Sequence, residues 1–113
     1  ARYVADPLCG FVLSVGGLCD LALALRRIFA RESLLRISRD LPVHLISGER
    51  APVHDALRGF HALARALRAT GHERVSERVF PDARHELLNE TNRDEVTAEL
   101  LAWLGENLEM PQR

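Results

Sequence analysis

The chain has 113 residues, of which 47% are hydrophobic and 27% charged, a composition typical of one globular domain rather than of a disordered segment. Fifteen arginines and no lysine face sixteen acidic residues, so the net charge of −1 offers no basic surface of the kind that binds nucleic acid. No apolar run approaches the roughly 18–20 residues of a membrane helix, so we expect no transmembrane segment.

The first part of the chain predicts short helices after an irregular start. Residues 1–19 contain several glycines, show no clear period and are predicted to be a loop-rich lead-in. Asp20 stands where it would cap a helix over Leu21–Phe29, in which apolar residues recur at helical spacing. A second amphipathic stretch follows over Ser33–Ser38.

The cysteine usage favours a cytoplasmic protein without a metal site. Cys9 and Cys19 are too few for a disulfide framework and lack zinc spacing, so we expect buried, reduced thiols, no metal and no cofactor. The apolar stretch Phe11–Leu25 lacks the basic region that precedes the core of a signal peptide. Because the chain begins at Ala1 and has its only methionine at Met110, we expect a piece of a longer protein or a processed product.

A strand, a helix and a second strand are predicted next. Leu41–Gly48 is a short apolar run bounded by proline and glycine, typical of a strand buried on both faces. Asp55 is predicted to cap a helix that runs to about Ala69 and ends before Gly71. Arg74–Phe80 follows and is predicted to be a second strand.

The last predicted element is a helix whose apolar positions run from Val96 to Leu108. Thr91 and Asp94 have the spacing of a capping box at its start. The order strand, helix, strand, helix from residue 40 onward predicts an α/β fold with two parallel strands. Parallel sheets usually have more strands and helices on both faces, so the missing strands must come from sequence outside this chain or from a partner.

His85 is the strongest candidate for chemistry. Reactive groups in open α/β sheets lie at the carboxyl ends of strands, which here points to the loops Gly48–Asp55 and Pro81–Glu86. His85 lies in the second loop, where an imidazole would act as a general base; the alternative is a solvated surface histidine. Structural positions are predicted for the other histidines: His44 packed in a strand, His54 at a helix start, and His61 and His72 facing solvent.

No nucleophile is apparent. None of the serines lies in a G-x-S-x-G motif, which places a reactive serine on a strand-to-helix turn. Ser14 comes nearest, but the glycine that should precede it is missing. A complete set of nucleophile, base and orienting acid is therefore not present in this sequence.

Two segments resemble a known family. Leu41–Val53, with the sequence LPVHLISGERAPV, and Phe80–Glu90, with the sequence FPDARHELLNE, are similar to the C-terminal part of α/β-hydrolase-fold serine hydrolases. The resemblance is to the bacterial lysophospholipase and monoacylglycerol-lipase-like branch, also labelled serine aminopeptidase S33. It runs from about Leu41 to Leu104, and Tyr3–Phe11 resembles the segment that leaves the lid of these enzymes.

The resemblance implies a partial α/β-hydrolase fold. Residues 1–39 would be a lid remnant with the last lid helices. Residues 40–113 would be the last two parallel strands of the core with their flanking helices. The serine motif, the oxyanion-hole loop and the first strands precede the lid in this family and are absent from this sequence.

The resemblance also implies a role for His85 as the catalytic base. The family's acid follows the first of these strands in the pattern Gly-x-x-Asp-Pro, and this chain has Ala51 at the position of the aspartate. Since the acid holds the base in the correct tautomer, its loss impairs the triad severely. Asp55 and Glu49 are the alternative acids; otherwise they are a helix cap and a solvated loop charge.

The function implied is therefore that of a serine hydrolase acting on a small acyl ester, such as a monoacylglycerol or lysophospholipid. The serine would attack the acyl carbon, and water would then hydrolyse the acyl-enzyme. We expect this chain to be inactive alone and to contribute His85 and part of an acyl pocket lined by Phe11, Leu13 and Leu18. The expected macromolecular partner is a complementing N-terminal half or a second copy. The alternative function is a non-catalytic interaction or dimerisation module.

Overall fold

The computed structural model describes Pro7, Gly10 and residues 12–108 of the chain. Its helices and strands are, in chain order, α1 (Val15–Ile28), α2 (Arg31–Leu34), β1 (Val43–Gly48), α3 (Arg58–Ala69), β2 (Val75–Phe80) and α4 (Arg93–Leu108). Two 3₁₀ helices lie in the connections, over Pro52–His54 and Leu87–Asn89. Within the described ranges, no helix is both long enough and apolar enough to cross a membrane.

The two strands form a parallel pair, as the sequence predicts. They are in register from Val43 opposite Val75 to Gly48 opposite Phe80. The crossover between them contains α3, which ends before Gly71, as predicted. Gly71 has a φ of +90°, a value that suits a residue without a side chain. The βαβα order predicted from residue 40 onward is therefore confirmed.

Helices cover both faces of this small sheet. On one face, α3 lies over β2, and Glu77 of the strand binds His61 and Arg68 of the helix. On the opposite face, His44 of β1 stacks on Trp103 of α4 with ring centroids 5.1 Å apart. The sheet is thus an inner layer between two helices, the usual environment of parallel strands.

The core lies at the carboxyl end of β2. It consists of Phe80, Ala83, Leu87 and Val96, with Ile46 and Leu100 packed against it. Phe80 and Val96 have no exposed surface, so the end of β2 and the first turns of α4 are tightly joined. This cluster anchors the loop that carries His85.

The N-terminal helix begins earlier than the sequence predicts. Its N-cap is Ser14, whose Oγ accepts a hydrogen bond of 3.1 Å from the backbone of Gly17, and Asp20 lies inside the helix. Capping by Asp20 is therefore wrong, because a serine six residues upstream already satisfies the helix terminus. The stretch Ser33–Ser38 is helical only in part, since the helix there is Arg31–Leu34.

The surface of α1 is exposed on all sides. No residue of the helix is buried, and the large apolar side chains exposed along it include Leu18, Leu21, Leu25 and Ile28. Cys19 is exposed as well, so its predicted burial is wrong, because nothing in the described part of the chain covers this helix. Cys9 lies outside the described residues.

Two further local predictions are corrected. α3 begins at Arg58, and Asp55 does not cap it but lies in a left-handed turn with φ of 50°. His72 is 1% exposed instead of facing solvent, since its Nδ1 donates to the carbonyl of Leu67 at the end of α3. His72 thus lies inside the protein, just after the C-terminal end of α3, and the sequence pattern does not reveal this.

The start of α4 also differs in detail. The helix begins at Arg93, and the amide of Val96 bonds to the carbonyl of Asn92 at 3.2 Å. Among the described residues, Thr91 and Asp94 make no capping hydrogen bonds, so the predicted capping box is not formed. The helix itself, predicted from its apolar positions, is present.

Candidate functional site

The loops that follow β1 and β2 meet at the carboxyl edge of the sheet. The amide of Glu49 donates to the carbonyl of Phe80, and the amide of Arg50 donates to the carbonyl of Ala83, each at 2.9 Å. The Glu49 carboxylate accepts the amide of Asp82 at 3.3 Å, and the side chains of Arg50 and Asp82 form an ion pair of 2.5 Å. The two loops are therefore one connected unit, as the strand-end rule predicts.

Gly48 makes this junction feasible. A Cβ at this position would lie 2.1 Å from the carbonyl oxygen of Arg84 and 2.3 Å from that of Ala83. These are backbone atoms that cannot rotate away, so only glycine fits where β1 ends. From the sequence, Gly48 is predicted only to end a strand; its position directly before the candidate acid loop is the signal that points to the junction.

His85 projects from this junction into solvent. Its neighbours Ala83 and Leu87 are both buried in the core, and the backbone amide of Arg84 donates to the Glu90 carboxylate at 3.2 Å. The imidazole between these anchors is 53% exposed. His85 is thus a reachable side chain on a fixed loop at the end of β2, where a general base is expected.

The orienting acid is missing from this arrangement. In the described part of the chain, the carboxylate within 4.0 Å of His85 is that of Glu86, whose Oε1 lies 3.9 Å from Nε2. An exposed pair at that distance contributes little, and an orienting acid holds the other ring nitrogen. Glu49 bonds to the β2 loop, while Asp55 accepts from Nε of Arg58 at 2.9 Å. The structure therefore does not bring Glu49 or Asp55 to His85.

Ala51, at the position where the resemblance puts an aspartate, is 5% exposed. Its amide donates to the carbonyl of Gly48 at 3.1 Å, which closes a tight turn directly after β1. The Ala51 side chain is therefore buried, directly after β1 and beside the junction of the two loops. A methyl group there offers no acceptor for an imidazole.

His54 fixes the rest of the β1 loop. This buried residue donates from Nε2 to the carbonyl of Gly48 and accepts the amide of Leu57 at Nδ1, both at 2.8 Å. A carbonyl only accepts and an amide only donates, so the imidazole is the neutral tautomer with its proton on Nε2. It holds three successive non-glycine residues with positive φ, Asp55, Ala56 and Leu57.

The predicted acyl pocket is not formed by the described residues. Leu13 and Leu18 are 43% and 53% exposed, and Phe11 lies outside the described residues. A cavity of about 320 Å³ beside the β2 loop is lined instead by Pro81, Asp82, Ala83, Thr91, Asn92 and Glu95. None of the residues predicted for the acyl pocket lines this cavity. Ser14, the nearest approach to a nucleophile, is the cap of α1.

One carboxyl group on the α3 face has a shifted pKa. Hydrogen bonds from His61 Nδ1 and then from Arg68 lower the pKa of Glu77 below its ordinary value, outweighing the opposing effect of burial. The two contacts measure 2.8 and 2.6 Å. They join α3 to β2 away from His85, so this group stabilises the fold and takes no part in the loop junction.

Comparison with known proteins finds a similarity at the level of structure. No protein-family model and no curated protein matches the chain. Among solved structures, it is similar to a highly thermostable carboxyl esterase from Bacillus coagulans, determined in complex with glycerol, with a TM-score of 0.79 and 26% sequence identity. The match covers 92% of this chain and 34% of the esterase chain.

The chain shares its fold with about one third of that esterase. Its parallel strands between helices therefore match part of an α/β fold, that of the esterase. The match therefore shows a likeness of fold to this part of the esterase. It leaves two thirds of the esterase without a counterpart in this chain.

Proposed function

We propose that this chain is the C-terminal part of a serine hydrolase that acts on carboxylic esters, and that His85 is its catalytic base. The observation that carries the proposal is the position of His85, exposed on an anchored loop at the carboxyl end of β2, in a fold matched to a carboxyl esterase. In the finer form of the proposal, the substrate is a monoacylglycerol or lysophospholipid, as in the lysophospholipase-like S33 group. Residues 1–39 would then be the lid remnant, and residues 40–113 part of the core.

The imidazole would act on a serine supplied by another segment of polypeptide. It would take the hydroxyl proton as the serine attacks the acyl carbon, then return this proton to the leaving alcohol. Water would hydrolyse the acyl-enzyme in the second half of the cycle, again with His85 as base. Because no described residue supplies the nucleophile, the isolated chain should show no turnover.

The first experiment measures hydrolysis of p-nitrophenyl butyrate by the chain alone and mixed with the two thirds of the Bacillus coagulans esterase that the match leaves uncovered. We expect turnover only in the mixture, and loss of that turnover with His85→Ala. The positive control mixes the same esterase fragment with the third of the esterase that matches this chain. Turnover by the isolated chain that His85→Ala abolishes would contradict the proposed incompleteness.

Position 51 provides a second, more specific experiment. Ala51→Asp introduces a carboxylate where the resemblance puts the acid, and removal of that acid from a serine protease triad lowers kcat by about 10⁴-fold. We therefore expect Ala51→Asp to raise turnover of the mixture strongly. Glu49→Gln and Asp55→Asn are matched controls that should leave turnover nearly unchanged, since both carboxylates have other partners.

A non-catalytic interaction module is the second candidate. It is favoured by the lack, among the described residues, of a carboxylate placed to orient His85, and by Ala51 itself. In this case the mixture would assemble without ester turnover, and Ala51→Asp would not produce any. Homodimerisation of the chain would be the simplest form of such a module.

A further inference from the structure

His54 holds together both ends of the loop that joins β1 to α3. Its buried ring donates from Nε2 to the carbonyl of Gly48 and accepts the amide of Leu57 at Nδ1, each at 2.8 Å. Gly48 is the last residue of β1, and Leu57 lies directly before α3. One imidazole therefore connects the end of the strand to the start of the helix.

The backbone beside the Leu57 contact is strained. Asp55, Ala56 and Leu57 have φ values of 50°, 50° and 68°, in the left-handed region that residues with a Cβ disfavour. Ala56 and Leu57 lack the short polar side chain with which asparagine or aspartate tolerates such a φ. A conformation of this kind persists only where surrounding contacts impose it. The hydrogen bond from the Leu57 amide to His54 is such a contact.

A proton on His54 would act differently on its two hydrogen bonds. Nε2 carries a hydrogen in the neutral tautomer described above and in the imidazolium alike, so it can donate to Gly48 in both states. Nδ1 accepts only while it has no proton. In the imidazolium both ring nitrogens are donors, and an N–H at Nδ1 would face the N–H of Leu57. Protonation therefore breaks the contact at the α3 end of the loop and spares the one at β1.

The charged side chains of the loop and of the segments beside it already have other partners. The Glu49 carboxylate, at the end of β1, accepts the amide of Asp82. Arg50 forms an ion pair with Asp82 from the β2 loop, and Asp55 forms one with Arg58 at the start of α3. These contacts leave the carboxylates of Glu49 and Asp55 engaged away from the imidazole.

No carboxylate compensates a positive charge on this ring. Within the described ranges, a carboxylate lies within 4.0 Å of the imidazoles of His61 and His85 but not of His54. On the side of α3, the neighbour is Gly59, where an added Cβ would lie 3.5 Å from the His54 carbonyl oxygen. A buried cation without a partner is unfavourable, so opening of the loop relieves it.

We propose that the β1–α3 loop is a pH-dependent switch, closed while His54 is neutral and open at its α3 end when His54 is protonated. Imidazoles change charge between about pH 5 and 8, so mild acid operates it. Opening releases the left-handed residues before α3 and loosens the first turn of the helix, where the amide of His61 donates to the carbonyl of Leu57. The turn at Ala51 stays closed. The switch is a property of the loop itself and goes beyond the proposed catalytic role of His85.

Nitrogen NMR of the full chain between about pH 7.5 and 5.0 tests this proposal. Scalar coupling across the hydrogen bond from the Leu57 amide to His54 Nδ1 reports the contact directly, and the ring nitrogen shifts report protonation. We expect this coupling to disappear as the ring gains its proton. The hydrogen-exchange protection factor of the Leu57 amide should fall at least about tenfold over the same range. The amide of Ala51, which donates to Gly48, should keep its protection.

Three substitutions identify the group that titrates. His54→Asn places an acceptor oxygen near the position of Nδ1 without a titratable ring, so protection at Leu57 should then vary by less than about twofold with pH. Glu49→Gln and Asp55→Asn remove the neighbouring carboxylates and should leave the acid-dependent loss at Leu57 intact. If His54→Asn does not fold, the comparison of Leu57 with Ala51 in the unmodified chain decides the question.

Selective loss of the Leu57 contact in acid supports the switch. A Leu57 contact that persists down to about pH 5.0 overturns it, because the imidazole then does not titrate in the range of an ordinary histidine. Simultaneous loss of protection at Leu57 and Ala51 also overturns it, since that result indicates acid unfolding of the whole chain. The same acid-dependent loss in His54→Asn assigns the effect to another group and contradicts the role of His54.

Discussion

Replacement of Gly48 by alanine tests whether the two loops are joined as described. The added Cβ would lie 2.1 Å from the carbonyl oxygen of Arg84, and ordinary van der Waals contact begins at 3.4 Å. The loop after β2 must therefore retreat by roughly 1.3 Å. That movement carries the segment preceding His85 away from the end of β1.

The expected cost follows from what this movement breaks. The backbone hydrogen bonds from Glu49 to Phe80 and from Arg50 to Ala83 are 2.9 Å long, and lengthening by this amount removes both. Each contributes about 1 kcal/mol to the free energy of unfolding. The residual steric strain adds about 1–3 kcal/mol. The total loss is about 3–5 kcal/mol, a large share of the stability of a small domain.

Urea unfolding followed by circular dichroism measures this loss. Gly105→Ala is the matched control, because Gly105 lies within α4 and a Cβ added there would meet no atom within 4 Å. Alanine there should raise the free energy of unfolding by about 0.5–1 kcal/mol. A Gly48→Ala variant within 1 kcal/mol of the wild type, on the scale of one hydrogen bond, would refute the close approach of the loops.

Three further substitutions test the fold around the candidate site. Phe80→Ala should lower the free energy of unfolding by about 3–5 kcal/mol, because the ring is fully buried. Urea titration measures this loss, and a loss below about 1 kcal/mol, the contribution of one hydrogen bond, would contradict the packing. His54→Ala should cost about 2 kcal/mol in thermal unfolding through two lost hydrogen bonds, and an unchanged Tm would contradict its role. Glu77→Gln should destabilise the chain at neutral pH. The folded-state pKa of the wild-type carboxyl is lowered, so this group stabilises the folded state at pH values above its unfolded-state pKa of 4.5. The difference should shrink as the pH falls through the folded-state pKa of Glu77. A pH-independent difference would contradict the cause given.

The strands and the two long helices around them are predictable because their signals are local. The apolar run that contains β1 and the amphipathic pattern of α3 are each contained in a short window of sequence. The loop position of His85 also follows from the sequence, because it depends only on where β2 ends. Its catalytic role stays a prediction.

The failed predictions depend on specific contacts that hydrophobic periodicity and capping patterns do not encode. Asp55 has the side chain of a helix cap, but His54 binds Gly48 and Leu57 and holds the intervening backbone in left-handed turns. Cys19 lies in an apolar stretch that normally indicates burial, yet no residue of α1 is buried in the described chain. Likewise, the partners of Glu49 depend on how the two loops meet, which no local pattern encodes.

The unequal edges of the sheet limit how far copies of the chain could stack. Growth of a cross-β fibril requires each added unit to expose a new template identical to the one it covered. Two copies joined through β1 would expose only the outer edges of β2, where Arg68 occupies a carbonyl and charged residues interrupt the strand. Edge-to-edge pairing of copies would therefore terminate at two, which gives this chain a built-in barrier to polymerisation.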